Sequence, residues 1–291
     1  NTLRTTINIK GFFSPKNNDH ILRFKSSLTF FANSSLCEID FTLHNPNAAK
    51  HPGGFWDLGD TGSTYFKSLI LNLKLSHQPE IQWKSHGDKD FQPIKHKEFR
   101  LYQNSSGGEN WNHHIHIDKD KQSTVSVKGY QLKTEKEIID SGKRASPILQ
   151  FKNKNSCLNA HIKQFWQNFP KAISANEKQI KLEVFPETTK SDYELQGGEQ
   201  KTHSVILDFN IEIDHLEQMV TPLIVSLPLS HYSNSSAMPW LTQLNKTTAL
   251  DEIIHQGIEG DSNFFIKREK ADEYGWRNFG ELWADHETLE H

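Results

Sequence analysis

The chain has 291 residues, and its 33 Lys and Arg residues against 36 Asp and Glu residues give a formal net charge of −3 at pH 7. Phosphate neutralisation needs a surplus of cations, so this balance excludes a strongly basic nucleic-acid binder. No apolar run approaches the roughly 18 residues of a membrane-spanning helix. We therefore expect a polar-surfaced globular protein with neither nucleic acid nor membrane among its partners.

Alternation of apolar and polar residues is the dominant pattern and predicts antiparallel strands with one buried face. The clearest runs are 37–43, 69–75, 180–185 and 205–213, and shorter runs are 28–31, 115–117, 124–127 and 223–227. Clusters of Gly, Pro, Asn and Ser between them are typical of turns. The pattern predicts a mostly β fold of antiparallel sheets, as a barrel-like domain and a β-sandwich or as one large supersandwich.

Helical periodicity appears late, so a few short helices are expected near the C-terminus. Leu250, Ile253 and Ile254 share one helix face, Thr247 or Thr248 is a candidate cap, and Gly257 is a candidate stop.

Composition shifts predict the domain organisation. We expect a β domain at 1–135, a β-sandwich at 136–260 and the start of a truncated helical domain at 261–288. Residues 289–291 resemble the remnant of a purification tag.

The loop between two predicted strands at 45–63 is rich in Gly and Pro and carries Trp56, Asp57 and Asp60. Such loops often carry function, and a sugar site would use the Trp as a stacking face and the carboxylates as acceptors from hydroxyls. The alternative is a structural loop whose carboxylates bind turn amides and whose Trp fills the core.

Residues 111–118 place His114, His116 and Asp118 on one face if this segment is a strand. Two imidazoles and a carboxylate can bind a transition metal once a further ligand joins them. An exposed polar face is the commoner explanation, so no metal site is predicted here.

Two further segments mix aromatic and polar residues. Residues 165–173 carry Trp166 and Lys171, which could stack on and bond to a sugar, although clustered aromatics are more often core. Residues 193–203 form a Gly-Gly turn before a strand, and the alternating Glu199, Lys201 and His203 fit either coupled titration or a solvated charge ladder.

The terminal stretch 274–287 contains candidate catalytic residues. Arg277 can neutralise a carboxylate, Trp276 can stack on a sugar, and Tyr274 or His286 can exchange protons. A helix start with its aromatic residues packed inward is the structural alternative.

Four longer words, HPGGFWDLGD at 51–60, FWQNFPK at 165–171, LQGGEQKTH at 195–203 and YGWRNFG at 274–280, together resemble the exo-acting rhamnogalacturonan lyase family. The resemblance implies N-terminal β domains followed by a helical toroid, so this chain would be the β portion plus the start of the catalytic domain. It also implies a missing C-terminal catalytic domain of the same chain and an extracellular or periplasmic location.

The chemistry implied by the resemblance is β-elimination on a uronate-containing polysaccharide such as rhamnogalacturonan I. Arg277 would neutralise the carboxylate, and Tyr274 or His286 would act as base or acid. The substrate-binding set would be Trp56, Asp57, Asp60, Trp166, Lys171 and Trp276. No cofactor is expected, with a divalent cation such as calcium left open. The fragment alone would be inactive, and the alternative is a non-catalytic carbohydrate-binding or structural β module.

Overall fold

The structure is a computed structural model that describes residues 3–14, 22–51, 58–154, 156–188, 191–221, 223–238, 248–261 and 263–280. The strands in this part of the chain are β1 (Arg4–Phe13), β2 (Leu22–Phe31), β3 (Leu36–His44), β4 (Thr64–Phe66), β5 (Leu69–Lys74), β6 (Glu80–Ser85), β7 (Gln92–Ile94), β8 (Phe99–Gln103), β9 (Tyr130–Lys133), β10 (Ile138–Gly142), β11 (Pro147–Asn153), β12 (Ser156–Ile162), β13 (Lys171–Ala175), β14 (Gln179–Phe185), β15 (Tyr193–Leu195) and β16 (Gln200–Asp208). The helices are α1 (Asp214–Val220), α2 (Leu229–Asn234), α3 (Ala249–Glu259), α4 (Phe264–Ala271) and α5 (Gly275–Asn278).

The strands form two large antiparallel sheets and one small one. The 8-stranded sheet has the order β1-β2-β3-β16-β12-β11-β6-β7, and the 6-stranded sheet has the order β10-β9-β8-β13-β14-β5. A 2-stranded sheet pairs β15 with β4. Strands from both sides of residue 135 occur in both large sheets, and the division into domains at 135 and 260 stays a prediction.

The core lies between the two large sheets. Leu101 and Ile173 of the 6-stranded sheet and Leu149 and Val205 of the 8-stranded sheet are buried in one continuous cluster. Because side chains alternate across a strand, the residues between them point to the opposite faces. The mostly β, antiparallel fold with a few short helices near the C-terminus is therefore confirmed, and the packed sheets form a sandwich.

The far face of the 8-stranded sheet is covered by α1. Ile148, Ile206 and Leu216 form a second buried cluster there. The strand predicted at 205–213 ends earlier than expected, at Asp208. Beyond it the chain leaves the sheet, and Ile211 is 68% exposed.

Other local predictions also need correction. Residues 115–117 and 124–127 are turns and bends rather than strands, with one bridge between Ile117 and Ser123, and 223–227 has no regular structure. The predicted helix is α3, which begins with a capping box at Thr248 and continues through Gly257 to Glu259. Within the described part of the chain, no helix combines the length and apolarity needed to cross a bilayer.

His161 lies on the α1-covered face of β12 and is buried. Its Nδ1 lies 2.9 Å from the carbonyl oxygen of Pro147. Burial lowers the pKa of His161 to about 4, because the charged ring would be desolvated, although the bond to Pro147 opposes this.

We predict that His161 makes the protein less stable as the pH falls from about 6.5 to about 4. As the pH falls, the unfolded chain binds this proton before the folded protein does. The contribution of His161 to stability is therefore fully present above the unfolded pKa and is lost as the pH falls towards the folded pKa. His161→Gln should remove about 3 kcal/mol of that pH-dependent loss, measured by urea unfolding at both pH values. His77→Gln, at an exposed position, is the control. Equal pH profiles for wild type and His161→Gln would contradict the prediction.

Candidate functional site

A cavity of about 480 Å³ opens where β8 ends and β13 begins. The β8–β9 loop, the 2-stranded sheet and the C-terminal segment 272–280 enclose it. We call it the C-terminal cavity, defined by the lining residues Tyr65, His116, Glu194, Tyr274, Trp276 and Arg277.

One buried carboxylate joins the walls of this cavity. Asp272 is fully buried, and its Oδ2 lies 2.7 Å from Nε2 of His116. Its Oδ1 accepts a hydrogen bond from the hydroxyl of Ser106. Asp272 ends α4 in the left-handed conformation, with φ 50°, which Asp tolerates better than most residues that carry a side chain. The left-handed turn directs the chain from α4 into the cavity wall.

The β8–β9 loop, residues 104–129, holds His116 in place through its own polar side chains. The Oδ1 of Asn104 accepts hydrogen bonds from the amides of Ser126 and Val127, at 2.6 and 2.7 Å. The amide of Thr124 donates to the carbonyl of His116 at 2.9 Å. Local bonds of this kind order a loop that has little regular structure.

The ring of His116 is oriented from two sides. It packs edge-on against Phe169, with ring centroids 5.1 Å apart, and its Nε2 faces Asp272. A neutral imidazole bonded to a carboxylate carries its proton on the bonded nitrogen. The Nδ1 of His116 is therefore the ring nitrogen left for a bound molecule.

Backbone hydrogen bonds fix the C-terminal segment against the loop that precedes β13. The amide of Gly275 donates to the carbonyl of Gln167 at 2.7 Å, and the amide of Trp276 donates to Phe169 at 2.8 Å. The ammonium group of Lys201 donates to the carbonyl of Arg277 at 2.9 Å. The side chains of Trp276 and Arg277 are thus placed by a rigid frame.

A second polar group enters the cavity from the 2-stranded sheet. Glu194 of β15 lies directly opposite Tyr65 of β4, so their side chains share a face. The Oε1 of Glu194 accepts hydrogen bonds from the amide of Gly59 and the hydroxyl of Ser63, both at 2.7 Å. Its Oε2 is buried and has no hydrogen-bond partner among the described residues. Burial, followed by the nearby Glu194 carboxylate, raises the pKa of Tyr65.

A cluster centred on Arg144 lies behind Tyr274, which lines the cavity. The guanidinium of Arg144 lies 4.1 Å from the ring of Trp166 and bonds to both carboxylate oxygens of Glu269, at 3.0 and 2.7 Å. Tyr274 donates its hydroxyl to Glu269 at 2.6 Å. Burial, together with this carboxylate, raises the pKa of the Tyr274 hydroxyl. The cluster fixes α4 and Tyr274 against the sandwich.

Three of the residues predicted from sequence converge in this cavity. Tyr274, Trp276 and Arg277 all line it. The guanidinium of Arg277 lies 4.6 Å from the ring of Trp276 and donates to the carbonyl of Glu194 at 3.3 Å. Trp166 lies behind the wall, with its ring 5.0 Å from that of Tyr274. Their individual roles stay predictions.

Other predicted residues lie elsewhere. Lys171 is fully buried, its Nζ donates to the carbonyl of Val184 at 2.7 Å, and burial lowers its pKa well below the usual value. The Asp60 carboxylate accepts hydrogen bonds from the amides of Gly62, Lys50 and His51, and the bond from Gly62 contributes most to its lowered pKa. Trp56, Asp57 and His286 fall outside the described residues.

Sequence reasoning missed the residues that organise the cavity. Asp272 and Ser106 are 166 positions apart, and Tyr65 and Glu194 meet only through strand pairing. The sequence favours an exposed polar face on a strand for His116 over a metal ligand, but the residue is buried and its segment is a turn. No group of three or more His, Cys, Asp or Glu residues arranged to hold a metal occurs within the described ranges, and the divalent cation stays a prediction.

Comparison with known proteins gives only distant likenesses. No family model and no curated protein matches the chain. A putative aldose 1-epimerase from Klebsiella pneumoniae is 11% identical with a TM-score of 0.40, over 75% of this chain and 54% of that one. A putative aldose 1-epimerase from Escherichia coli K12 is 9% identical with a TM-score of 0.35, over 70% and 65%. A galactose mutarotase-like protein from Clostridium acetobutylicum is 9% identical with a TM-score of 0.33, over 72% and 64%.

These findings correct the lyase interpretation. The solved structures that the chain is similar to are epimerase-like and mutarotase-like proteins, so the resemblance to exo-acting rhamnogalacturonan lyases is wrong. The assignment to a lyase fragment, and the alternative of a non-catalytic module, are withdrawn with it. Local structure explains at least one of the words: 195–203 is the end of β15, a turn with Gly198 at φ 80°, and the start of β16. The residue preferences of a turn between two strands are enough to produce a similar segment in an unrelated protein.

We predict that Asp272→Asn loosens the cavity wall. The amide must turn a donor towards either Ser106 or His116, so one of these neighbours must become the acceptor, and we expect the loss of a bond to a carboxylate to cost about 1–3 kcal/mol of unfolding free energy. The proton of His116 should also move from Nε2 towards Nδ1, which ¹⁵N NMR of the ring detects. Asp90→Asn, at an exposed position outside the lining of the cavity, is the control. Unchanged stability and an unchanged tautomer would contradict the role of Asp272.

Proposed function

We propose that the C-terminal cavity binds the reducing end of a sugar and catalyses opening and reclosure of its hemiacetal ring by proton transfer. The observation that carries this proposal is the pairing of two proton-transfer groups in one cavity. His116 and Glu194 both line the cavity, and the buried Oε2 of Glu194 makes no hydrogen bond of ordinary geometry among the described residues, with the Tyr65 hydroxyl nearby.

The reaction needs one acid and one base. The base takes the proton of the anomeric hydroxyl, the bond between the anomeric carbon and the ring oxygen breaks, and the acid gives a proton to that oxygen. Reclosure on either face of the aldehyde reverses both transfers and yields either anomer. Positioned side chains accelerate such proton transfers by about 10²–10⁴-fold.

The contacts of each group suggest its role. We assign Glu194 as the base, because a small turn of its side chain lets the buried Oε2 accept a hydrogen bond from an incoming hydroxyl. His116 acts as the acid in the form that carries protons on both ring nitrogens, donating from Nδ1 while Asp272 accepts from Nε2. The two groups exchange roles in the reverse direction.

The remaining wall suits a polyhydroxylated ligand. Trp276 and Tyr65 supply aromatic surface, and Arg277 supplies a cation with several hydrogen-bond donors. The names of the distant structural neighbours, aldose 1-epimerase and galactose mutarotase-like protein, agree with this chemistry. Their TM-scores of 0.33 to 0.40 give them no weight in the argument.

We predict that His116→Gln and Glu194→Gln each lower kcat for anomer interconversion by about 100-fold or more. The rate is followed by polarimetry and by NMR exchange between anomers for a panel of aldoses and reducing disaccharides. His114→Gln, which changes an exposed imidazole two residues away, should keep the wild-type rate. A wild-type protein that does not accelerate any sugar of the panel, or a His116→Gln variant with full activity, would refute the assignment.

A further inference from the structure

A second cavity, of about 670 Å³, lies over the 6-stranded sheet. Its floor is the face of that sheet turned away from the sandwich core, because Arg100 and Ser174 alternate with the buried Leu101 and Ile173. We call it the basic groove, defined by Lys133, Arg100, Ser174 and Lys181.

Strand register places these residues in one row across four strands. Lys133 of β9 lies opposite Arg100 of β8, Arg100 lies opposite Ser174 of β13, and Ser174 lies opposite Lys181 of β14. The row spans three strand spacings, or about 14 Å. Three cations therefore face the same shallow space.

The positive charge of this row is only partly balanced. Glu183 is buried and accepts hydrogen bonds from Arg100 at 2.8 Å and from Ser174 at 2.6 Å. Half-buried Lys133 and Lys181 have no ion-pair partner among the described residues. The groove's other charged lining residues, Glu98, Glu135, Lys136 and Glu137, are exposed at its rim, so the excess positive charge is confined to the floor.

The row carries an unfavourable pair. Lys133 and Arg100 lie directly opposite one another on adjacent strands, and like charges in that position destabilise a sheet. An anion above the floor would relieve this repulsion and would bond to both free ammonium groups.

The basic groove and the C-terminal cavity lie along the same two neighbouring strands, β8 and β13. Along the chain leaving β8, Arg100 lines the groove and Asn104 lines the cavity. Along the chain entering β13, Ser174 lines the groove and Pro170 lines the cavity. Each pair is four residues apart, which is about 13 Å of extended chain.

Tyr102 lies between the two sites. Its ring is 4.9 Å from the guanidinium of Arg100, and its hydroxyl accepts a hydrogen bond from Asn104 at 2.9 Å. A half-buried aromatic ring in this position is suited to contact with a sugar ring.

We propose that the basic groove binds the acidic part of an oligosaccharide whose reducing end occupies the C-terminal cavity. This inference rests on the proposed function, which assigns the reducing end of the sugar to the C-terminal cavity. The substrate class is then a carboxylate-bearing oligosaccharide rather than a free neutral monosaccharide. Lys133 and Lys181 bind the carboxylates, and Tyr102 contacts the chain between the two sites.

The test measures binding by isothermal titration calorimetry with a panel of uronate tetrasaccharides and with cellotetraose as the neutral counterpart. The Lys133→Ala/Lys181→Ala double variant should bind the preferred acidic tetrasaccharide about tenfold more weakly, since two partly exposed charge contacts are removed. Binding by wild type should weaken with added salt. Lys89→Ala/Lys154→Ala removes two exposed lysines outside the groove and should bind as wild type does.

The outcomes separate the two proposals. If the groove variant loses acidic binding while its rate on a neutral aldose is unchanged, the groove proposal stands. If acidic binding depends on the lysines but not on Trp276→Ala in the cavity, the groove binds the glycan and the reducing-end assignment fails. Equal affinity of wild type for acidic and neutral tetrasaccharides, equal affinity of wild type and the groove variant, or tighter binding of a single-stranded oligonucleotide would overturn the inference.

Discussion

The C-terminal cavity depends on the buried carboxylate of Asp272. A carboxylate removed from water is costly unless its oxygens are hydrogen-bonded, and here Ser106 and His116 satisfy it from one loop of the sandwich. The interaction links the end of α4 to a loop 156 residues earlier and fixes the ring of His116. The segment that follows is then aligned by the bonds of Gly275 and Trp276 to the loop before β13. Without that carboxylate, the imidazole would lose its bond at Nε2 and the end of α4 would lose its link to the loop.

The 6-stranded sheet of the sandwich has two chemically different faces. The inner face of the 6-stranded sheet is a continuous apolar core, whereas its outer face carries polar and charged side chains from Arg100 to Lys181. The 2-stranded sheet places Glu194 beside Tyr65 at one end of this region. Residues from distant segments of the chain thus lie close together beside the 6-stranded sheet. This arrangement agrees with the general requirement that proton-transfer groups be held within a narrow range of geometry.

The sequence predicts more of the fold than of the candidate site. Alternation at 37–43 and 180–185 predicted β3 and β14 because one face of each strand is buried. The same rule failed at 209–213, where Phe209 and Ile211 alternate with polar residues but are exposed. Tyr274, Trp276 and Arg277 were found because aromatic and cationic residues cluster there. Asp272 and Glu194 were not, since their partners are set by tertiary contact and no local spacing records it. The lyase interpretation failed for a related reason. A short segment such as 195–203 forms a turn between two strand ends, and unrelated proteins can share such a segment because turns require similar residues.

In the proposed reaction, a sugar lies between His116 and Glu194 with its anomeric centre at those two groups. The most direct measurement is a crystal structure of the protein soaked with a reducing sugar. We expect the ring oxygen within hydrogen-bonding distance of Nδ1 of His116, the anomeric hydroxyl at Oε2 of Glu194, and Nε2 of His116 still bonded to Asp272. A sugar bound away from the C-terminal cavity, or bound there with its anomeric carbon turned away from both groups, would contradict it.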